Sequence, residues 1–269
     1  MRAFGVDISK WDVNQEKTKW WNPDNAKKPI DFVIQRLSYG GRTDECVDIL
    51  YPQSLKIPIR GCYHYYSTAI GAKEQADVFL KIINGKEFHF LAVDYEKYYN
   101  NLNSNSLKEF RYMLDYVYDR TGKTTLAYFN PDVYNTLMKV YGADSWINNY
   151  ETWIAQYPFA AFYNPEKNPY LPKDVKKWKI WQTSGGDVAN TIGKTLGSTY
   201  GAIRQGIDTD LFNGTKEDMM LWLKIDGTKK PPISIEPPVN PREQAIRQEI
   251  SELQNRIGRL QVELSQYIK

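Results

Sequence analysis

The sequence predicts an α/β barrel whose eight short strands close on one another, with helices between the early strands and irregular connections between the late ones. Three observations predict it. Strand-like and helix-like patterns alternate from residue 1 to about 226, the order expected of strands joined by crossover helices. Eight β-rich runs are present, a number that suits a closed barrel better than an open sheet. The helical patterns thin out after residue 150.

The runs come in order. AFGVDI (3–8) opens the chain and ends near Asp7, and FVIQRLS (32–38) and IRGCYHYY (59–66) follow. GAKEQADVFLKIING (71–85) carries Ala76, Phe79, Leu80 and Ile83 at helical spacing. HFLAVDYE (89–96) is the next strand, followed by SLKEFRYMLDYVYDRTG (106–122), a helical pattern ending at a glycine suited to a C-cap. TTLAYFN (124–130), WIAQYP (153–158) and WKIWQTS (178–184) continue the series, and AIRQGIDTD (202–210) is a weaker eighth. Strand, helix, strand repeated in this way implies a parallel sheet.

Two further segments follow the barrel. Residues 227–242, GTKKPPISIEPPVNPR, hold five prolines and no helical period, which is the composition of a stiff, extended linker. In residues 243–269, Ile246, Ile250, Leu253, Ile257, Leu260, Leu264 and Tyr267 recur at alternating steps of four and three. That is a heptad seam with Ile mostly at a and Leu at d, a combination that favours two parallel strands. The expectation is a C-terminal coiled-coil helix that pairs two copies into a homodimer.

Composition narrows the function. There are 35 Lys and Arg against 32 Asp and Glu, a net charge of +3 with no long basic run, so nothing points to nucleic acid. Two histidines leave no Cys–His zinc pattern. Cys46 and Cys62 permit at most one internal disulfide, and their spacing demands none, so both read as buried thiols. No run of about 18 apolar residues offers a membrane span. The N-terminal MRAFGVDISKW enters a strand at once, without the apolar stretch of a secretory signal. The aromatic content, 8 Trp and 20 Tyr, exceeds what a core requires; such rings pack interiors or stack on flat apolar faces such as those of sugars.

The chemistry concentrates in FLAVDYE. Alternate strand residues point to one face with Cα atoms roughly 6.5 Å apart, so Asp94 and Glu96 project together. In a parallel barrel the C-terminal strand ends form the active mouth. Asp7 closes the first strand and Asp208 lies in the last, so four acids converge there. Four carboxyls at one mouth repel unless one keeps a proton, and a proton kept near neutral pH is what a general acid needs.

The ordered set GVDISKWD (5–12), FVIQRLSYG (32–40), GCYHYY (61–66), LAVDYE (91–96), WIAQY (153–157), WQTSGG (181–186) and GIDTDLFNG (206–214) resembles the lysozymes of glycoside hydrolase family 25, found among phage endolysins and bacterial muramidases. The resemblance implies a (β/α)5β3 barrel that hydrolyses the β-1,4 bond between N-acetylmuramic acid and N-acetylglucosamine in the glycan strands of peptidoglycan. It implies that Glu96 is the general acid, Asp94 its partner carboxylate, and Asp7 and Asp208 the acids lining the site. The family usually shows D-x-N where this chain has Asp208 and Asp210; of the two, Asp208 is expected to point inward. Tyr63, Tyr65, Tyr128, Trp153 and Tyr157 are candidates for the sugar-binding wall, with barrel packing the alternative for each, and Gln182 is a candidate hydrogen-bond partner of substrate. The linker and heptad tail fall outside the resemblance.

The expected reaction needs no metal or cofactor, because protonating a leaving oxygen requires no Lewis acid. Carboxyls on neighbouring inward positions lie nearer the retaining than the inverting separation, so net retention is expected. A family 18 chitinase-like barrel would need an acid at position 92, which is Ala92. A non-catalytic peptidoglycan-binding protein on the same barrel would show a lost acid, and none is lost. The absence of a signal stretch leads to the expectation of a phage enzyme made in the cytoplasm and released to the wall through a holin-type lesion.

Overall fold

The computed structural model describes residues 1–97 and 100–225. The expected linker and heptad helix, residues 227–242 and 243–269, therefore lie outside the described residues.

The strands are β1 (Phe4–Ile8), β2 (Phe32–Tyr39), β3 (Arg42–Thr43), β4 (Ile59–Tyr65), β5 (Phe90–Asp94), β6 (Thr125–Phe129), β7 (Thr152–Ala155), β8 (Ile180–Ser184) and β9 (Asp208–Phe212). Eight of them close a barrel in the order β1, β2, β4, β5, β6, β7, β8, β9 and back to β1. The two-residue β3 folds back on the end of β2 as a hairpin, Tyr39 opposite Arg42. Their rows read as near-continuous apolar runs because strands under crossover helices are covered on both faces. β5 and β6 are buried at every position.

Among the eight barrel strands the parallel expectation holds for β1, β2 and β4 through β8 and fails at β9, which is antiparallel to both β8 and β1. No helix carries the chain from β8 back to the bottom of the barrel. The connection of residues 185–207 stays at the mouth, with only the 3-10 turns Ile192–Thr195 and Gly197–Thr199. The chain therefore enters β9 from the top and runs downward. The last strand is also later than the sequence pattern placed it, beginning at Asp208 rather than 202.

Helices α1 (Val47–Ser54), α2 (Ala72–Ile83), α3 (Ser104–Thr121), α4 (Pro131–Val133) and α5 (Lys216–Trp222) complete the list. α2 buries Ala72, Ala76, Phe79, Leu80 and Ile83 along one stripe, the amphipathic spacing read in the sequence. α3 starts at Asn103, whose side chain accepts from the Asn105 and Ser106 N–H groups, and stops at Gly122 at φ 61°, a left-handed turn that glycine adopts without steric cost. Because β9 descends, α5 follows at the bottom, where Met219 and Leu223 join the interior cluster. Small and large residues alternate across strands inside the barrel. A methyl group on Gly61 would overlap the ring of Phe90, and one on Gly5 the ring of Phe32. The two cysteines are free and buried.

Candidate active site

The upper end of the barrel opens into a cleft of about 430 Å³ whose lining includes Asp7, Asp94, Glu96 and Asp208. Each acid arrives by a local rule. Asp94 is the last residue of β5, and Glu96 stands two residues on, just past the strand end. Asp7 lies directly opposite Asp208 across the β1–β9 ladder. Asp208 reaches the mouth as the first residue of a descending strand, so the expected convergence occurs through a reversed strand direction.

Both inward acids of β9 matter. Asp208, Asp210 and Phe212 share one strand face, and Phe212 sits in the interior cluster. Asp208 lines the cleft, whereas Asp210 lies one layer deeper, fully buried, and accepts from Trp153 Nε1 at 2.8 Å. Both side chains point inward, at different depths.

Asp94 is 5 % exposed and its Oδ1 has no hydrogen-bond partner among the protein groups. Burial, then repulsion by Glu96, raises its carboxyl well above the ordinary range, opposed by the Arg36 guanidinium. Burial raises Glu96 too, against a hydrogen bond from Tyr128 and the pull of Arg36. Both shifts are upward, the direction that favours keeping a proton on the pair. Asp208 is pushed up to about 7, by burial first and Asp12 second, against the Gly186 N–H and Arg204.

A hydrogen-bonded chain links the acids. Tyr128 Oη lies 2.7 Å from Gln182 Oε1 and 3.1 Å from Glu96 Oε1. Tyr157 donates to the same Gln182 oxygen at 2.6 Å, and Gln182 Nε2 donates to Asp7 Oδ2 at 2.7 Å. Tyr128 has one proton and two acceptors within reach. Given to Glu96, it favours the carboxylate; given to the nearer Gln182, it leaves the Tyr128 oxygen to accept, and the contact with Glu96 is then a hydrogen bond when Glu96 carries the proton.

All the aromatic candidates line the cleft, but they do different things. Tyr63, Tyr128 and Trp153 are buried and form its floor, with the Tyr128 and Trp153 rings edge to face at 4.6 Å. Tyr65 is partly exposed and sits opposite Asp94 in the β4–β5 register. Tyr157 stands at the wall. Gln182 is 4 % exposed and engaged by two tyrosines and Asp7, so its contacts in this structure are with the protein.

Sequence reasoning passed over three cleft residues. Arg36 points in from β2, ion-pairs with Asp44 at 2.7 Å, and keeps a buried Nη2 without a hydrogen-bond partner. Arg204 bridges Asp12, Asp187 and Asp208 from the β8–β9 connection. Trp11 stands on the rim, 64 % exposed. Trp11 lies within GVDISKWD and was visible as an aromatic just past a strand end; the arginines carried no pattern of their own. A second hollow of about 790 Å³ shares Glu96, Tyr128 and Tyr157 with the first, so Glu96 stands between two depressions. Among the described residues, no group of three or more His, Cys, Asp or Glu is arranged to hold a metal ion. Ser38, His64 and Gln75, hydrogen-bonded in series, resemble a nucleophile chain, but all three are fully buried, away from the cleft.

Comparison with known proteins places this geometry. The family described as Glycosyl hydrolases family 25 matches residues 6–191, more than half of the chain. An uncharacterized protein of Escherichia coli O6:H1, YegX, is 27% identical over 238 residues, covering 85% of this chain and 75% of its own. The catalytic domain of endolysin ply40 from bacteriophage P40 of Listeria monocytogenes superposes with a TM-score of 0.59 at 22% identity, covering 83% of this chain and 98% of that one. A muramidase from Acremonium alcalophilum gives 0.61 at 19% identity, with 84% and 100% covered. At these identities the solved structures are alike in fold.

Proposed function

The chain belongs to family 25 of the glycosyl hydrolases and is a glycoside hydrolase; from that premise we propose that it is a muramidase, cutting the β-1,4 bond between N-acetylmuramic acid and N-acetylglucosamine in peptidoglycan. The observation that carries this reading is the placement of Glu96. It stands between two hollows, against the Tyr128 hydroxyl at 3.1 Å and beside buried Asp94. A glycan strand laid along both hollows sets a glycosidic oxygen over the one acid they share.

In this mechanism Glu96 protonates the leaving oxygen. Asp94, faced by Arg36, takes the negative charge of the pair and stabilises the oxocarbenium-like state, directly or by orienting the 2-acetamido group of the substrate as internal nucleophile. Net retention is the expected outcome: Asp94 and Glu96 stand two residues apart at the end of one strand, where Glu96 raises the Asp94 carboxyl, and retaining pairs are the closely spaced ones. Mass spectrometry of fragments released from purified Gram-positive walls tests the bond. Reducing muramic ends are expected; reducing glucosamine ends or free stem peptides overturn the proposal. Proton NMR of the first product reads its anomeric configuration.

Trp11 offers its ring to the cleft from an exposed position, so its removal tests binding apart from folding. Trp11→Ala is expected to cost about 0.5–1.5 kcal/mol of stacking, roughly two- to tenfold in KM, with Tm unchanged. An unaltered KM removes Trp11 from the substrate path.

We extend the proposal to pairing through residues 243–269, which the heptad spacing of the sequence supports. Light scattering of the full chain at tens of micromolar should give twice the mass of one chain, and deletion of 229–269 should give a monomer still active on small soluble fragments. Two tethered barrels would dwell longer on a wall through effective concentration. A full-length monomer refutes the pairing.

A further inference from the structure

Asp7 in the cleft lining and Asp210 one layer below it form a second carboxyl pair that the proposed reaction does not use directly. Asp210 is fully buried and Asp7 is 3 % exposed. Asp210 stands two residues along β9 from Asp208, the residue paired with Asp7, so the two carboxyls are diagonal neighbours on the inner face of the β1–β9 ladder. Asp210 raises the Asp7 carboxyl, and two carboxyl oxygens can hydrogen-bond only with a proton between them. The remaining contacts show where that proton must be. Asp210 Oδ1 accepts from Trp153 Nε1 at 2.8 Å, while its buried Oδ2 meets no N–H or O–H donor of the protein. Asp7 Oδ2 accepts from Gln182 Nε2 at 2.7 Å.

Of the surrounding cations Arg204 also attracts Asp7, but its ion pairs are with other acids. Asp208 lies across from Asp7 on β9. Tyr63 on β4, Tyr128 on β6 and Tyr157 just past β7 act on Asp7. Arg204 ion-pairs with Asp12, Asp187 and Asp208, and Arg36 pairs with Asp44 and faces Asp94.

We infer that Asp210 is a positioning residue for the catalytic acid: it shares a proton with Asp7, and through Asp7 and Gln182 it fixes the direction of the Tyr128 hydroxyl. The chain of consequence is short. Asp7, held by the shared proton, accepts from Gln182 Nε2, which turns Gln182 Oε1 toward both tyrosines. Tyr128 then gives its proton to Gln182, and Glu96 must bring its own. If Asp7 is released, the carboxamide can rotate and present Nε2 to the tyrosines. The Tyr128 proton then turns to Glu96 and favours its carboxylate, the form useless as an acid. The inference rests on Glu96 being the acid of the proposed reaction.

Two substitutions separate the proton from the shape. Asp210→Asn places a permanent N–H where the shared proton sits and leaves an oxygen for Trp153. Asp210→Leu fills the space and supplies no hydrogen bond. Burial, opposed by the Trp153 and Asp7 hydrogen bonds, holds Asp210 at about 8 in the folded chain, against about 3.9 unfolded. A raised folded value contributes stability that is complete below about pH 4 and is lost as pH rises through about 8. The wild-type Tm should therefore fall relative to that of Asp210→Asn between pH 5 and 8, the gap levelling above about pH 9. Reducing-end release from purified peptidoglycan, measured from pH 4 to 9, should show the alkaline limb of kcat/KM for Asp210→Leu about one pH unit or more below wild type, and that of Asp210→Asn not below it. A Tm gap constant across pH overturns the shared proton. Coincident alkaline limbs for wild type and Asp210→Leu overturn the link to Glu96. Should Asp210→Leu not fold, the Asp210→Asn melting series still decides the shared proton. If wild type releases no reducing ends, the muramidase proposal fails while the melting series judges the proton on its own.

Discussion

Glu96→Gln should lower wall hydrolysis by roughly 10²–10⁴, the usual contribution of a positioned general acid, in a protein that folds as before. The amide matches the acid in size and keeps an oxygen and an N–H for the 3.1 Å contact with Tyr128, but it has no proton to give to a leaving oxygen. Stability should move the other way. Burial raises the folded Glu96 carboxyl above its ordinary range, so its contribution to stability is complete below the unfolded value and is lost as pH rises through the folded one. The neutral amide has no such loss, and the variant's Tm should gain on that of the wild type as pH rises above the unfolded value of about 4.3. Turbidity clearance of purified walls and a melting series at several pH values measure both effects. Wild-type lysis by Glu96→Gln sinks the assignment of the acid.

Asp94→Asn is the second large effect, and it carries a signature in pH. A neutral amide cannot balance the positive charge that develops at the anomeric carbon, so a loss of about 10² or more is expected, comparable with removal of a preorganised electrostatic contact. Asp94 and Glu96 repel each other when charged. With Asp94 neutral, Glu96 ionises more easily, its pKa falls, and the alkaline limb of the residual activity moves to lower pH. Loss of a purely structural residue would lower the amplitude and leave that limb in place. Near-normal activity in Asp94→Asn would demote this carboxyl to packing.

How much of the site was legible follows from the range of each interaction. Asp94 and Glu96 were visible because their relation is local: two residues apart at the end of an apolar run places both on one side of the chain. Asp7, ending its own strand, was visible by the same rule. The helices declared themselves in the same way, α2 through its apolar stripe and α3 through the Gly122 stop. Buried Cys46 and Cys62 agree with the reading of two free thiols. Trp153 and Gln182 were singled out as aromatic and polar residues at strand ends, but their neighbours assign their contacts. Trp153 donates to Asp210, and Gln182 is held by Tyr128, Tyr157 and Asp7.

The sequence by itself determined the barrel class, the order of its strands and the pair of acids on FLAVDYE, because hydrophobic period and residue spacing act over a few residues and survive without knowledge of the rest of the chain. Tertiary structure alone decided the direction of β9, the depth of Asp210 and the arrival of Arg36 and Arg204 beside the acids. A period of two reads the same in either direction, so no strand pattern says whether the chain enters from the top or the bottom. That is settled by where the preceding connection ends, and here residues 185–207 end at the mouth. Once β9 runs downward, Asp208 stands at the cleft opposite Asp7 and Asp210 is carried one layer below it, out of water and against Trp153. Burial of charge depends on that depth, and depth is a property of the closed barrel rather than of any segment that composes it.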